Sequence, residues 1–182
     1  MKFVPTDLPE VVRIVPTVHE DERGYFMETW QARRFHDAGI DLDFVQDNFS
    51  QSSKGTLRGL HYQIEQAQGK LVRVVSGEVL DVAVDLRRSS PNFGKWIGEI
   101  LSADNKHQLW VPPGFAHGFL VLSDTAKFEY KCTDYYAPEF ERSVRWDDPE
   151  IGIRWPLDKG EQPVLSPKDR EAPLLRDADT YQ

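Results

Sequence analysis

Sulfur is scarce in this chain, with one cysteine, Cys132, and two methionines in 182 residues. A lone cysteine excludes an internal disulfide and any metal site made of cysteines alone, and it suits a reducing compartment. Long apolar runs are missing too. No stretch approaches the ~20 apolar residues needed to cross a bilayer. The first ten residues are interrupted by Pro5, Asp7, Pro9 and Glu10, so they form no signal-peptide core. The expectation is a cytoplasmic protein with no membrane partner. Positive charge is in deficit, since 22 Lys and Arg against 30 Asp and Glu give a net charge of −8. That balance excludes the electrostatic signature of a duplex nucleic-acid binder and leaves room for a local basic pocket. Repeats and low-complexity segments are absent, which predicts one domain over residues 1–182, with a core at about 11–156 and an irregular C-terminal segment at 157–182.

What is present is a series of short runs rich in Val, Ile, Leu and aromatic residues, punctuated by Gly, Pro, Asn, Asp and Ser. This is the pattern of successive strands and turns. Residues 69–75 and 78–86 alternate around Ser76-Gly77 and predict a hairpin with a tight turn. In the second run Leu80, Val82, Val84 and Leu86 share one face, and Asp81, Ala83 and Asp85 share the other. Further strands are predicted at 11–18, 25–30, 43–50, 57–63, 95–101, 108–111, 119–122, 127–132 and 143–146. One helix is predicted at 31–38, with Ala32, Phe35 and Ala38 inward and Gly39 as its stop. A short helical turn is expected near 168–175. The fold class is therefore mainly β, a sandwich or barrel of jelly-roll type with short peripheral helices.

Two of the five histidines stand in unusual surroundings. His61 lies on the strand at 57–63, where alternation puts Gly59, His61 and Gln63 on one side and Arg58 and Leu60 on the other; the glycine leaves room beside the imidazole. His117 follows the Pro112-Pro113-Gly114 turn and enters the strand at 119–122. His19, His36 and His107 sit among charged or polar residues and read as solvated. The spacing of Pro112, Gly114 and His117 is similar to the second motif of metal-binding cupins, but Gln63 occupies the place of a second histidine ligand. Glutamine is a poor metal donor, so no metal is expected. Lys70 and Tyr130 complete a set of acid and base groups, and Phe128, Tyr130 and Cys132 share one face of the strand at 127–132. Arg23 and Arg58, each beside glycine, suit a phosphate clamp.

These residues belong to longer motifs. They include Asp21-Glu22-Arg23-Gly24-Tyr25-Phe26-Met27-Glu28, Gln46-Asp47-Asn48, Leu57-Arg58-Gly59-Leu60-His61-Tyr62-Gln63 and Gln68-Gly69-Lys70-Leu71-Val72. They continue through Gly77-Glu78-Val79, the turn to His117, Tyr130-Lys131, Trp146-Asp147-Asp148-Pro149 and Leu165-Ser166-Pro167-Lys168-Asp169. Together, over residues 11–175, the sequence resembles the dTDP-4-dehydrorhamnose 3,5-epimerase family of nucleotide-sugar enzymes. The resemblance implies a homodimer that uses no cofactor and acts on dTDP-4-dehydro-6-deoxy-D-glucose. His61 is then the base, Asp169 its partner, Tyr130 the proton donor on the opposite face of the sugar, and Lys70 the group that stabilises the oxyanion at O4.

Binding roles follow in the same way. The resemblance implies that Arg23 and Arg58 contact the diphosphate, Glu28, Gln46, Asp47 and Asn48 the nucleoside end, and that Tyr136 stacks on thymine. Phe26, His117, Glu141 and Lys168 align with further substrate-binding positions. The segment carrying Arg23 and Glu28 is expected to reach into the neighbouring subunit's site. The same residues serve epimerisation at C3 and C5, at C3 alone or at C5 alone. A metal-dependent cupin enzyme and a non-catalytic sugar-binding cupin are the rival classes, the first disfavoured by Gln63 and the second by the joint presence of His61, Tyr130, Asp169 and Lys70.

Overall fold

A computed structural model of the chain describes residues 1–158 and 160–182. Residue 159, inside the expected irregular segment, lies outside the described residues. Thirteen strands dominate the chain order: β1 (Lys2–Pro5), β2 (Val12–Val15), β3 (Val18–Asp21), β4 (Gly24–Met27), β5 (Gln46–Ser53), β6 (Leu57–Gln63), β7 (Lys70–Ser76), β8 (Glu78–Asp85), β9 (Trp96–Ser102), β10 (Gln108–Val111), β11 (Phe115–Val121), β12 (Thr125–Cys132) and β13 (Glu141–Ser143). Helix α1 (Ala32–Asp37) follows β4, and α2 (Pro167–Arg170) lies in the C-terminal segment. Two sheets are antiparallel throughout, ordered β1-β2-β10-β7-β12-β5 and β13-β6-β11-β8-β9, and β3 and β4 form a separate hairpin. This is the expected mainly β, cupin-type jelly roll. No helix among the described residues is long and apolar enough to cross a membrane.

The two sheets face each other across one apolar layer. Val72, Val74, Leu109 and Phe128 from the six-stranded sheet meet Val79, Ala83, Leu101, Phe115 and Phe119 from the five-stranded one, all buried. Phe119 and Phe128 stack with ring centroids 4.2 Å apart. The five-stranded sheet is covered on its other face as well, where Val82, Val84 and Leu86 pack under Ile151, Leu175 and Ala178. Cover on both sides explains why β8 is buried on both of its alternating faces, Asp81 and Asp85 included. The C-terminal segment is thus a cover for the barrel, held by the Arg145 amide on the Pro173 carbonyl at 2.9 Å, the Leu175 amide on Asp148 Oδ2 at 2.7 Å and the Tyr181 hydroxyl on the Gln63 carbonyl at 2.6 Å.

Several local expectations are corrected. The runs at 69–75 and 78–86 do not form a hairpin, because β7 pairs with β10 and β12 while β8 pairs with β11 and β9. Ser76-Gly77 is a corner between sheets. Gly77 has φ +83°, and a Cβ there would lie 2.1 Å from the Thr125 carbonyl oxygen. A hairpin turn and such a corner both place a residue of positive φ between alternating strands, so the sequence pattern does not separate them. The strand expected at 11–18 splits into β2 and β3, and β1 precedes the expected core. The strand expected at 143–146 is displaced to β13; Val144 still exchanges both backbone bonds with Leu60 before Arg145 turns to the tail. In α1, capped by the Gln31 side chain, only Phe35 is buried, and Ala32 and Ala38 are exposed. Six residues make less than two turns, so one position meets the sheet. The turn expected near 168–175 is two turns, α2 and a 3-10 turn at Leu175–Asp177.

Candidate active site

Strand register assembles the site row by row. On the inner face of the six-stranded sheet, Phe128 lies between Val74 and Ser50, Tyr130 between Val72 and Asn48, and Cys132 between Lys70 and Gln46. Side chains therefore grade from apolar in the middle of the barrel to polar at one end, where the facing wall is β6. The result is a cavity of about 280 Å³ lined by Gln46, Asn48, His61, Tyr62, Gln63, Gln68, Lys70, Tyr130, Tyr136 and Glu141.

His61 does not follow the simple alternation expected of its strand. The β6–β11 register runs His117 to His61 and then Phe119 to Arg58, so one residue of β11 is opposed by two of β6. This bulge puts Arg58 and His61 on the inner side and sends Leu60 into the outer cluster beneath the tail, which corrects the grouping of Arg58 with Leu60. Close backbone approach accompanies it: a Cβ on Gly59 would lie 2.5 Å from Gly118 Cα. Arg58 Nε donates to Ser52 Oγ on β5 at 3.0 Å and stands near Tyr130 rather than lining the cavity.

His61 Nε2 meets Asp169 Oδ1 at 2.5 Å across 108 positions of sequence. Asp169 comes from α2, whose Ser166 cap, Pro167 start and short length set its carboxylate at the edge of the barrel. Burial lowers the His61 pKa below the ordinary value of 6.5, opposed by Asp169 and reinforced by Lys168 and Lys70. Burial pushes the Asp169 carboxyl up, yet bonds from His61 and Ser166 outweigh it and hold the group below its ordinary value. A neutral imidazole that donates from Nε2 to Asp169 keeps its lone pair on Nδ1.

Across the cavity the Lys70 ammonium has no hydrogen bond or ion pair among the described residues, and burial lowers its pKa, partly offset by Cys132, Glu141 and Asp81. Burial raises the Tyr130 hydroxyl above its ordinary range, helped by Cys132 and Glu141 and opposed by Arg58. An amine wanting an anion, a phenol that stays protonated and an imidazole that stays neutral are the fittings of proton transfer next to a developing negative charge. Glu141 ties Lys168 at 2.6 Å and accepts from the Tyr136 hydroxyl at 3.1 Å, closing one side of the mouth.

The remaining sequence-predicted residues are spread more widely. His117 begins neither at a turn nor at a strand end; it is the third residue of β11, buried, with Nε2 2.9 Å from Asp81 Oδ2. Asp47 points to the outer face and pairs with Lys131 at 2.9 Å. Arg23, Phe26 and Glu28 lie on or just after the β3–β4 hairpin, away from the cavity, with the Arg23 side chain 89% exposed and Phe26 71% exposed. Gln63 Nε2 spends both donors on the Gln66 and Tyr135 carbonyls, and its Oε1 accepts from the Ala137 amide. Among the described residues no three His, Cys, Asp or Glu side chains gather as metal ligands. Gln68, Asp81 and Ser166 were missed as site components; for Asp81 the signal was a carboxylate on the inward face of a strand.

Two facing sheets with polar side chains gathered at one open end define a cupin-type jelly-roll protein. The profile of dTDP-4-dehydrorhamnose 3,5-epimerase matches residues 5–177, and the chain belongs to this family of isomerases. It is 56% identical over 182 residues to the dTDP-4-dehydrorhamnose 3,5-epimerase of Pseudomonas aeruginosa, covering 100% of this chain and 99% of that protein. A crystal structure of the dTDP-6-deoxy-D-glucose-3,5-epimerase of Legionella pneumophila in complex with dTDP-4-keto-L-rhamnose is 55% identical, with a TM-score of 0.94 and coverage of 100% and 98%. A 3'-monoepimerase of Streptomyces bikiniensis in complex with dTDP-quinovose is 37% identical, with a TM-score of 0.88 and coverage of 94% and 87%.

Proposed function

We propose that the chain, acting as one domain over residues 1–182, epimerises dTDP-4-dehydro-6-deoxy-D-glucose at C3 and C5 to dTDP-4-dehydro-L-rhamnose, without a cofactor, on the route to dTDP-L-rhamnose. The C4 ketone acidifies the protons on C3 and C5. His61 removes such a proton, Asp169 stabilises the imidazolium that forms, Lys70 neutralises charge at O4 of the enolate, and Tyr130 returns a proton. The observation that carries this reading is the placement of His61 on β6 and Tyr130 on β12, strands of opposite sheets that line one cavity. Removal from one face and return to the other inverts the carbon.

A cavity of about 280 Å³ is sized for a hexose ring rather than a whole nucleotide sugar. The nucleoside and diphosphate then lie along the mouth, past Gln46, Asn48, Tyr136, Glu141, Lys168 and Arg58. Arg23 and Phe26, exposed on their own subunit beside the half-buried Glu28, support a homodimer in which this hairpin completes the neighbour's site. His117 and Asp47 act from beneath and beside the cavity rather than by lining it. The lone, buried Cys132 supports the cytoplasmic reading.

Incubation with the substrate in deuterated water, followed by NMR at C3 and C5, tests the reaction. Deuterium at both positions with formation of the L-lyxo product is the expected result. Exchange at one position selects a mono-epimerase, and exchange at neither overturns the proposal.

A further inference from the structure

Asp169 is held at both carboxylate oxygens. Oδ1 meets His61 Nε2 at 2.5 Å, and Oδ2 accepts from the Ser166 hydroxyl at 2.8 Å. The same Ser166 Oγ accepts from the Asp169 amide at 3.1 Å. The Asp169 side chain is 4% exposed, so protein groups rather than bulk water orient it. Among the described residues nothing else bonds to Oδ2.

We propose that Ser166 is a positioning residue for the epimerisation, its hydroxyl fixing the Asp169 carboxylate so that Oδ1 faces His61 and the imidazole stays aimed at the cavity. The proposal rests on the reading of His61 as the base. Its physical ground is that the terminal torsion of a carboxylate is soft, so a single bond to His61 leaves the group free to swing. α2 adds little restraint of its own, being four residues long, with the Arg170 amide on the Ser166 carbonyl and the Glu171 amide on the Pro167 carbonyl as its backbone bonds. One hydroxyl therefore does two jobs, capping the turn through its lone pair and clamping the carboxylate through its proton. Ser166 itself is exposed, so solvent exposure alone does not mark it.

The two jobs are separable. Ser166→Thr keeps both, Ser166→Ala removes both, and Ser166→Asp keeps an acceptor for the Asp169 amide but has no proton to give. The measurements are kcat and KM for deuterium exchange, the thermal midpoint, and the downfield NMR resonance of the His61 ring proton bound to Asp169. Ser166→Ala and Ser166→Asp are expected to lose roughly tenfold or more in kcat, with KM within about twofold, and to lose that resonance. Ser166→Thr is expected to stay within about threefold of wild type and to keep it. A folded Ser166→Asp protein with wild-type kcat and resonance overturns the proposal, as does a Ser166→Ala protein that behaves so. His61→Asn distinguishes the two layers: if it is inactive while Ser166→Ala matches wild type, only the Ser166 role fails; if it exchanges at the wild-type rate, the base assignment fails and the Ser166 role with it.

Discussion

His61 and His117 are direct partners across β6 and β11, yet each imidazole is bound by a carboxylate from a different part of the chain, Asp169 from α2 and Asp81 from β8. The first ring lines the cavity. The second is sealed behind it, stacked on Phe128 with centroids 6.1 Å apart. Two similar dyads thus sit side by side with different access to a substrate, and only the His61 pair is placed to exchange protons with one.

Replacing His61 by Asn is therefore expected to lower exchange at C3 and C5 by roughly 10²–10⁴-fold, the usual contribution of a positioned general base. Binding of dTDP, measured by calorimetry, should change little. Full exchange in the variant would refute the assignment.

The pH dependence follows from the direction of two shifts. Burial lowers His61 below 6.5, so the neutral, basic ring persists to lower pH than for a free histidine, and the midpoint of the acid limb of kcat/KM should lie below pH 6.5. Tyr130 is raised above 10, so the protonated phenol survives through the neutral range and the midpoint of its alkaline decline should lie above pH 10. A rate profile from pH 5 to 10.5 checks both limbs; an acid limb centred above 6.5 contradicts the burial of His61.

A shared site makes a distinct prediction for mixtures. Arg23→Ala and His61→Asn proteins, each impaired alone, should recover activity when co-expressed, because a heterodimer contains one site with both residues intact. Random pairing of equal amounts gives about a quarter of wild-type activity in such a two-fold arrangement. No recovery, or a monomeric mass at full activity, would remove the hairpin from the site.

Gly77→Ala tests the corner between sheets. The left-handed conformation alone costs a non-glycine residue about 1–3 kcal/mol, and the clash with the Thr125 carbonyl adds to it. The thermal midpoint should drop by several degrees. An unchanged midpoint would mean that the corner relaxes without cost.

Much of the site is legible along single strands. Alternation places Tyr130 with Phe128 on the inner face of β12 and leaves His61 conspicuous beside Gly59, and neither inference needs distant contacts. Where the reading erred, the missing quantity was pairing. Ser76-Gly77 looks the same whether it closes a hairpin or turns between sheets. The bulge that moves Arg58 beside His61 depends on the register with β11, which residues 57–63 do not contain. Asp169 and His61 are 108 positions apart, so their contact is a property of the folded tail and is legible in the sequence only through resemblance to known motifs. Arg23 and Phe26, exposed on the hairpin, would take a role in the site only through the second subunit of the proposed homodimer.

Because Asp169 arrives on the segment that covers the outer face of the five-stranded sheet, His61 has its carboxylate partner only while that segment is docked. With His61 as the proposed base, the packing of Leu175 and Tyr181 is what keeps the catalytic pair together. Activity then reports on that docking, and a nick between β13 and α2 that frees the tail is expected to silence the chemistry.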